Sequence, residues 1–431
     1  MKQPPVARLK LTNRLVPLVV ALLLGLELTF PHKAWLILLL GLGGLWGLCF
    51  WWARTLAHGL HLTRQMRFGW AQVGDRLEEH FILTNYTWVP GLWVELEDHS
   101  TLPDYRASQV TGIGSHAENS WTTASTCTRR GIFSLGPTTI HSSDPFNLYS
   151  ITIDYPDSAT LTVTPPIVPL PAIEVAPGGR TGEGRPHVRA LERTVSVATV
   201  RDYIPGDSLR AIHWPTSARH NDLFVRLFEN TPAGDWLIVL DLDERFQVGQ
   251  GQTSTEEHGV ILAASLADRG LHRGRAVGLL AHSDTLTWLP PRSGDGQRLQ
   301  ILQALATARP GPQPLASLLA QPSFGRLASL IVITPTIDRG WVEALSPILR
   351  YSAVATVLVL DPPAFGGSQS AQPLVTLLAN LNIVHHLITP ALLQGAGLIP
   401  GQQGQWDWRI SPLGRAVAGR PQQDMSWRGL G

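Results

Sequence analysis

Two apolar runs open the chain, at residues 15–30 (LVPLVVALLLGLELTF) and 34–53 (AWLILLLGLGGLWGLCFWWA). The second holds 20 residues without a charge, long enough as a helix to cross a hydrocarbon core of about 30 Å. The first is shorter and carries Glu27; an acid near the middle of a span costs about 2–3 kcal/mol, which its many Leu and Val side chains offset. With only Pro31-His32-Lys33 between them, the two runs predict a transmembrane hairpin. A cleaved signal peptide is the competing reading of the first run. The lack of a small-residue cleavage site and the second span close behind it speak against that.

The pattern then changes to period two. Runs at 76–84, 91–97, 120–128, 131–141 and 159–164 alternate apolar with polar residues and are divided by turn residues. They predict an antiparallel β-sandwich over 68–170. Residues 171–200, with APGGRTGEGRPH inside them, read as a linker. From residue 235 continuous apolar runs alternate with helical ones: strands at 236–241, 276–281, 329–334, 353–361 and 383–388, helices at 256–272, 295–308, 341–350 and 374–381. Buried strands separated by helices predict a doubly wound parallel sheet over 231–398, with any site at the carboxyl ends of its strands. Asp241, Thr334 and Asp361 stand at such ends. The Gly-, Gln- and Arg-rich tail, 399–431, reads as disordered. The fold class is thus α+β and multidomain.

Charge orients the hairpin. Residues 1–67 hold three Lys and five Arg against one acid, a net of +7, and the remainder carries −6. Basic residues flank both ends of the hairpin (Arg8, Lys10 and Arg14; Arg54, Arg64 and Arg67), so both flanks are expected on the cytoplasmic side of an inner membrane. A basic end on a mildly acidic body argues against a nucleic-acid binder. There is no lysine after Lys33, which excludes a Walker A loop, Schiff-base chemistry and the kinase set. The two cysteines, Cys49 and Cys127, build no zinc site, and Cys127 reads as a core residue. Asn85-Tyr86-Thr87 fits a glycosylation sequon, which a cytoplasmic body would never present to the enzyme.

The most distinctive run is 201–229, RDYIPGDSLRAIHWPTSARHNDLFVRLFE. Pro205-Gly206 suits the centre of a type II turn. Asp207 with Arg201, Arg210 and Arg219 can form a charge-paired cluster, and Trp214 is expected to fill a pocket beneath it. The run reads either as a staple between domains or as a partner-docking surface. Asp207 and His213 lack an accompanying nucleophile for catalysis. Through Arg201, Tyr203, Pro205, Gly206, Asp207, Arg210, Ile212, His213, Trp214, Ala218 and Arg219 the run resembles the bacterial domain-of-unknown-function 58 family. Arg130-Gly131, Leu135-Gly136-Pro137 and Asp144-Pro145-Phe146 are similar to that family's pattern upstream.

The resemblance implies a von Willebrand factor A-like domain after the run and an association with MoxR-type AAA+ ATPases. Domains of that type often hold Mg²⁺ on an Asp-x-Ser-x-Ser loop with a later Thr and Asp. Here the loop reads Asp241-Leu242-Asp243-Glu244-Arg245, so both serines are replaced. Asp241, Asp243 and Thr334 are the candidate ligands. The adopted reading is a degenerate site, paired as Asp241–Arg245 and needing no cofactor. The expected function is that of a non-enzymatic, membrane-anchored cytoplasmic scaffold. It docks its partner through Arg201, Tyr203, Asp207, Arg210, His213, Trp214 and Arg219. Its rivals are a carboxylate-dependent hydrolase at the strand ends, with His213 or His282, and a metal-dependent adhesion module.

Overall fold

The structure, a computed structural model, describes residues 4–66, 69–170, 172–176, 197–203, 212–220, 222–228, 235–283, 285–320, 329–350, 354–394, 408–410, 416–418 and 428–429. It is an α+β chain of two compact units, residues 1–164 with 400–431, and residues 165–399.

The first unit begins with a strand that the sequence pattern did not reveal, β1 (Val6–Leu11). Helix α1 (Leu15–Thr29) and helix α2 (Lys33–Gly59) follow it. Of the two, α2 is long and apolar enough to cross a membrane, and α1 is apolar but shorter. Leu18, Leu22, Leu28, Ile37 and Leu40 are exposed on them. Glu27 does not sit at mid-span as expected: it lies in the last turn of α1, where its carboxylate accepts from the His32 N–H at 3.3 Å. The expected span 34–53 is also only part of a longer helix. From Leu45 onward α2 packs on the sheets, burying Cys49, Ala53, Leu56 and Ala57 with Leu83, Val94, Ile140 and Ile151.

Ten further strands follow α2: β2 (Leu60–Met66), β3 (Trp70–Gln72), β4 (Arg76–Asn85), β5 (Gly91–Asp98), β6 (Gln109–Ile113), β7 (Glu118–Thr126), β8 (Gly131–Leu135), β9 (Thr138–Ser143), β10 (Tyr149–Tyr155) and β11 (Ala159–Thr164). The apolar–polar run 131–141 is divided at Gly136-Pro137, where Gly136 takes a positive φ of 87°. One sheet has the order β1-β10-β9-β5-β6, a second contains β2-β4-β7, and a third β3-β11-β8. Strand β1 pairs antiparallel with β10, from Val6 opposite Asp154 to Leu11 opposite Tyr149.

Period two places Leu77, Glu79, Phe81, Leu83 and Asn85 of β4 on one buried face. That face therefore carries a carboxylate into the core, and Arg64 on β2 meets it. The Arg64 guanidinium donates to Glu79 Oε1 (2.9 Å), Glu79 Oε2 (2.6 Å), Asp98 Oδ1 (2.7 Å), Thr138 Oγ1 (3.2 Å) and Ser100 Oγ (3.1 Å). The Tyr105 hydroxyl also donates to Glu79. Burial works against the Arg64 charge, but the Glu79 hydrogen bonds and the charges of Glu79 and Asp98 outweigh it and raise its pKa. Cys127 is fully buried in the same core, and burial with nearby Asp75 pushes its thiol up to about 11.

In the second unit β12 (Val197–Asp202) is followed by α3 (Trp214–His220) and β13 (Phe224–Phe228). Then come β14 (Trp236–Leu240), α4 (Thr255–His272), β15 (Val277–His282), β16 (Leu286–Arg292), α5 (Asp295–Thr307), α6 (Leu315–Leu319), β17 (Ser329–Thr334), α7 (Gly340–Arg350), β18 (Val354–Leu360), α8 (Gln372–Asn380) and β19 (Val384–Ile388). The main sheet has the order β16-β15-β14-β17-β18-β19; its strands are parallel except β16 at one edge. Alternate residues of each strand serve opposite faces. Ile238, Leu240, Ile331 and Ile333 pack with Val260, Leu266 and Ile301 of α4 and α5. Leu237, Val239, Leu330 and Val332 pack with Leu318, Trp341, Leu345 and Leu374 of α6, α7 and α8.

The end of the expected sandwich, from residue 165, and the first residues of the expected linker pack on this unit. Ile167, Val168, Leu170 and Ile173 join its core, Arg269 Nη1 donates to the Leu170 and Ile173 carbonyls, and Ala176 N–H donates to Thr356 Oγ1. Residues 177–196 lie outside the described residues. Most of the tail does too; its described parts are short strands, Trp408–Ile410 paired with Ala416–Ala418, and Arg428–Gly429 beside Gln65 and Met66.

Candidate functional site

The sheet order reverses between β14 and β17, where a doubly wound sheet leaves a crevice at its carboxyl end. Asp241 follows β14 there and Thr334 ends β17, and the Asp241 N–H donates to the Ile333 carbonyl at 2.9 Å. The structure therefore brings the three expected ligands together and adds a fourth residue, Thr336. Asp241 Oδ2 accepts from both Thr334 Oγ1 and Thr336 Oγ1 at 2.6 Å, and Oδ1 accepts from the Asp243 N–H at 3.1 Å. Thr334 Oγ1 in turn accepts from the Thr336 N–H. Burial raises the Asp241 pKa above the ordinary carboxylate range, and the two threonine hydrogen bonds pull the other way.

The expected Asp241–Arg245 pair does not form. Arg245 turns instead onto buried Asp243, donating from Nε at 2.9 Å and from Nη2 at 2.5 Å. Two sets of contacts explain the choice. Asp243 Oδ1 already accepts from the Arg245 N–H, so a turn two residues long sets the guanidinium beside that carboxylate. The Asp241 oxygens are filled by the two threonines and the Asp243 N–H. The loop is further tied to residue 311: Glu244 N–H donates to the Gly311 carbonyl, and Gly311 N–H to the Leu242 carbonyl. Both carboxylates thus carry hydrogen bonds from this chain's own donors. Among the described residues no group of three or more His, Cys, Asp or Glu is gathered as a metal site. Thr336 was not among the expected ligands because the metal-loop pattern asks for one later Thr and an Asp, not a second hydroxyl.

The distinctive run folds as a strand pair around a short helix. Strand β12 pairs antiparallel with β13, placing Arg201 opposite Val225 and Asp202 opposite Phe224. Tyr203 N–H donates to the Leu223 carbonyl (2.7 Å), His213 N–H to the Phe224 carbonyl (2.8 Å), and Phe224 N–H to Ser217 Oγ (2.9 Å). His213 caps α3, its Nδ1 lying 2.7 Å from Thr216 Oγ1 and accepting from the Thr216 N–H. That geometry gives His213 a structural task, and neither it nor Tyr203 is joined to the strand-end carboxylates. Arg219 is exposed on the last turn of α3. The expected pocket for Trp214 is not there: Trp214 opens α3 with 64% of its surface exposed, while Ile212 and Ser217 turn inward. Asp207 and Arg210 lie outside the described residues, as does the side chain of Arg201, so the expected charge cluster does too.

Uncharacterized protein YeaD of Bacillus subtilis is 29% identical over 141 residues, which cover 32% of this chain and 33% of that protein. Uncharacterized protein Rv1480 of Mycobacterium tuberculosis is 27% identical over 173 residues, covering 38% of this chain and 54% of its own. The chain thus spans between a third and about half of the length of these curated relatives. Among solved structures, the CARDB domain of a Pyrococcus furiosus protein overlays 24% of this chain at 11% identity with a TM-score of 0.18, too slight to carry a fold assignment. Residues 199–364, from β12 past the strand-end carboxylates and β18, match the family described as "Protein of unknown function DUF58".

Proposed function

We propose that the protein is a non-enzymatic scaffold, tethered to the inner membrane by a two-span hairpin and docking a partner through the segment around α3. The observation that carries the docking reading is Trp214. A large aromatic ring held 64% exposed on a helix whose cap and flanking strands are fixed by backbone hydrogen bonds is preformed to enter a partner's pocket. The resemblance to the DUF58 family suggests a MoxR-type AAA+ ATPase as that partner, and a von Willebrand A-like reading of the parallel sheet. The five-, four- and three-stranded sheets of the first unit are read as a β-sandwich.

The tether is supported by β1. Because Val6–Leu11 pairs with Tyr149–Asp154, the segment before α1 and the sheets after α2 belong to one folded body. Both helices therefore leave and re-enter on one side, as a hairpin demands. Cleavage after α1 would remove a strand of the sheet, which weighs against a signal peptide. Basic flanks place that side in the cytoplasm. The strand-end carboxylates support a non-enzymatic reading, since donors from their own chain occupy them.

Co-purification from crosslinked native membranes, comparing wild type with Arg210→Ala plus Trp214→Ala, tests the proposal. An AAA+ ATPase recovered with wild type and lost with a folded variant supports docking. Equal recovery with both makes the segment an internal staple.

A further inference from the structure

The Asp144-Pro145-Phe146 motif has no part in the docking segment, and its geometry is unusual for a surface turn. Asp144 is buried and pins the loop: Oδ1 accepts from the Phe146 N–H (2.9 Å), Oδ2 from the Tyr149 N–H (2.5 Å), and its carbonyl from the Asn147 N–H (3.0 Å). The pinned loop holds the Phe146 ring 60% exposed. It also carries the base of the hairpin. The Leu148 carbonyl accepts from the N–H groups of Thr12 and Asn13, directly ahead of α1, and Tyr149 meets Phe50 of α2 edge-on, ring centroids 5.5 Å apart. Leu48, Phe50 and Trp51 are exposed on α2 at the same level.

Length completes the argument. Fifteen residues of α1 rise about 22 Å, whereas a hydrocarbon core is about 30 Å thick. When the hairpin turn reaches the far interface, the point where α1 leaves the sheets falls about 8 Å short of the near interface. The bilayer must thin, or the end of the sheets must enter the headgroup layer. An exposed aromatic ring on a rigid loop at that end, continuous with the apolar flank of α2, is the group that such a position favours. Exposed Arg14 and Arg54 beside it suit anionic headgroups.

We infer that the 144–148 loop is a membrane-seating element, with Phe146 inserted at the headgroup–acyl boundary so that the sheets rest on the bilayer rather than hang below it. The inference rests on the hairpin reading above. Its test uses the full chain reconstituted in phosphatidylethanolamine–phosphatidylglycerol vesicles. An environment-sensitive fluorophore is attached at Phe146→Cys, at Leu40→Cys on α2, and at Arg106→Cys on an exposed loop beyond β5. The native thiols, Cys49 and Cys127, are buried. Quenching by a shallow doxyl lipid is expected to be several-fold stronger at 146 than at 106, with iodide quenching only 106 well. Lipid quenching at 40 but iodide quenching at 146 would overturn the seating element and leave the hairpin standing. Iodide quenching at both 40 and 146 would overturn both. All three positions are exposed, and a melting temperature matching wild type confirms that each labelled chain is folded.

Discussion

Replacing Arg64 by Met would remove the guanidinium from a buried charge cluster in the first unit. All five guanidinium N–H donors are engaged there, on Glu79, Asp98, Thr138 and Ser100. Glu79 is fully buried and the Asp98 side chain nearly so. The methionine fills much of the same volume, so the cost is electrostatic rather than a cavity. Removing one partner of a buried ion pair typically costs about 3–5 kcal/mol, because the remaining charge is left without compensation. For a unit of this size that lowers the melting temperature by about 10 °C. The loss is measured by scanning fluorimetry of the full chain in detergent, with hydrogen exchange over 60–85 assigning it to the first unit. In the variant, Glu79 and Asp98 have lost that counter-charge. Adding Glu79→Met should restore part of the lost stability, since an apolar replacement of that pair is near neutral while buried Asp98 stays without its partner. A loss under about 1 kcal/mol would refute the reasoning.

Three further outcomes follow from the second unit. A carboxyl with a raised folded pKa contributes stability that is complete below its unfolded value, about pH 4, and is lost as the pH rises through the folded one. Asp241→Asn should therefore flatten the fall in melting temperature with rising pH, and an unchanged slope would count against the buried acid. Because Arg245 occupies Asp243, and threonines occupy Asp241, millimolar Mg²⁺ should leave the melting temperature unchanged; a clear rise would show that the loop holds the ion. A Cβ added at Gly270 would lie 2.8 Å from both the Trp236 ring and Val277, so Gly270→Ala should cost about 1–3 kcal/mol and raise hydrogen exchange along α4, while no change would mean that α4 shifts freely.

The buried strands of the parallel sheet were legible because a strand covered on both faces reads as an unbroken apolar run, as in SLIVIT and AVATVLVLD. Strand β1 was not. Its alternation, VARLKL, is short and basic, and its pairing with β10 lies about 140 residues away in sequence, where no local pattern records it. Strand β16 was hidden by Pro290 and Pro291, which its place at the sheet edge tolerates. The strand-end acids were found by their position after apolar runs, but the partner of Arg245 depended on which carboxylate the threonines had filled. Trp214 was misplaced because hydrophobicity alone assigns a tryptophan to a core. Its neighbours Ile212 and Ser217 take the inward positions instead.

A photo-crosslinking amino acid placed at position 214 of the full-length protein, with position 106 as the control, tests the docking surface most directly in native membranes. Docking through α3 predicts one discrete adduct from position 214, identified by mass spectrometry as an AAA+ ATPase and absent from position 106. No adduct from 214, or the same diffuse products from both positions, would contradict it.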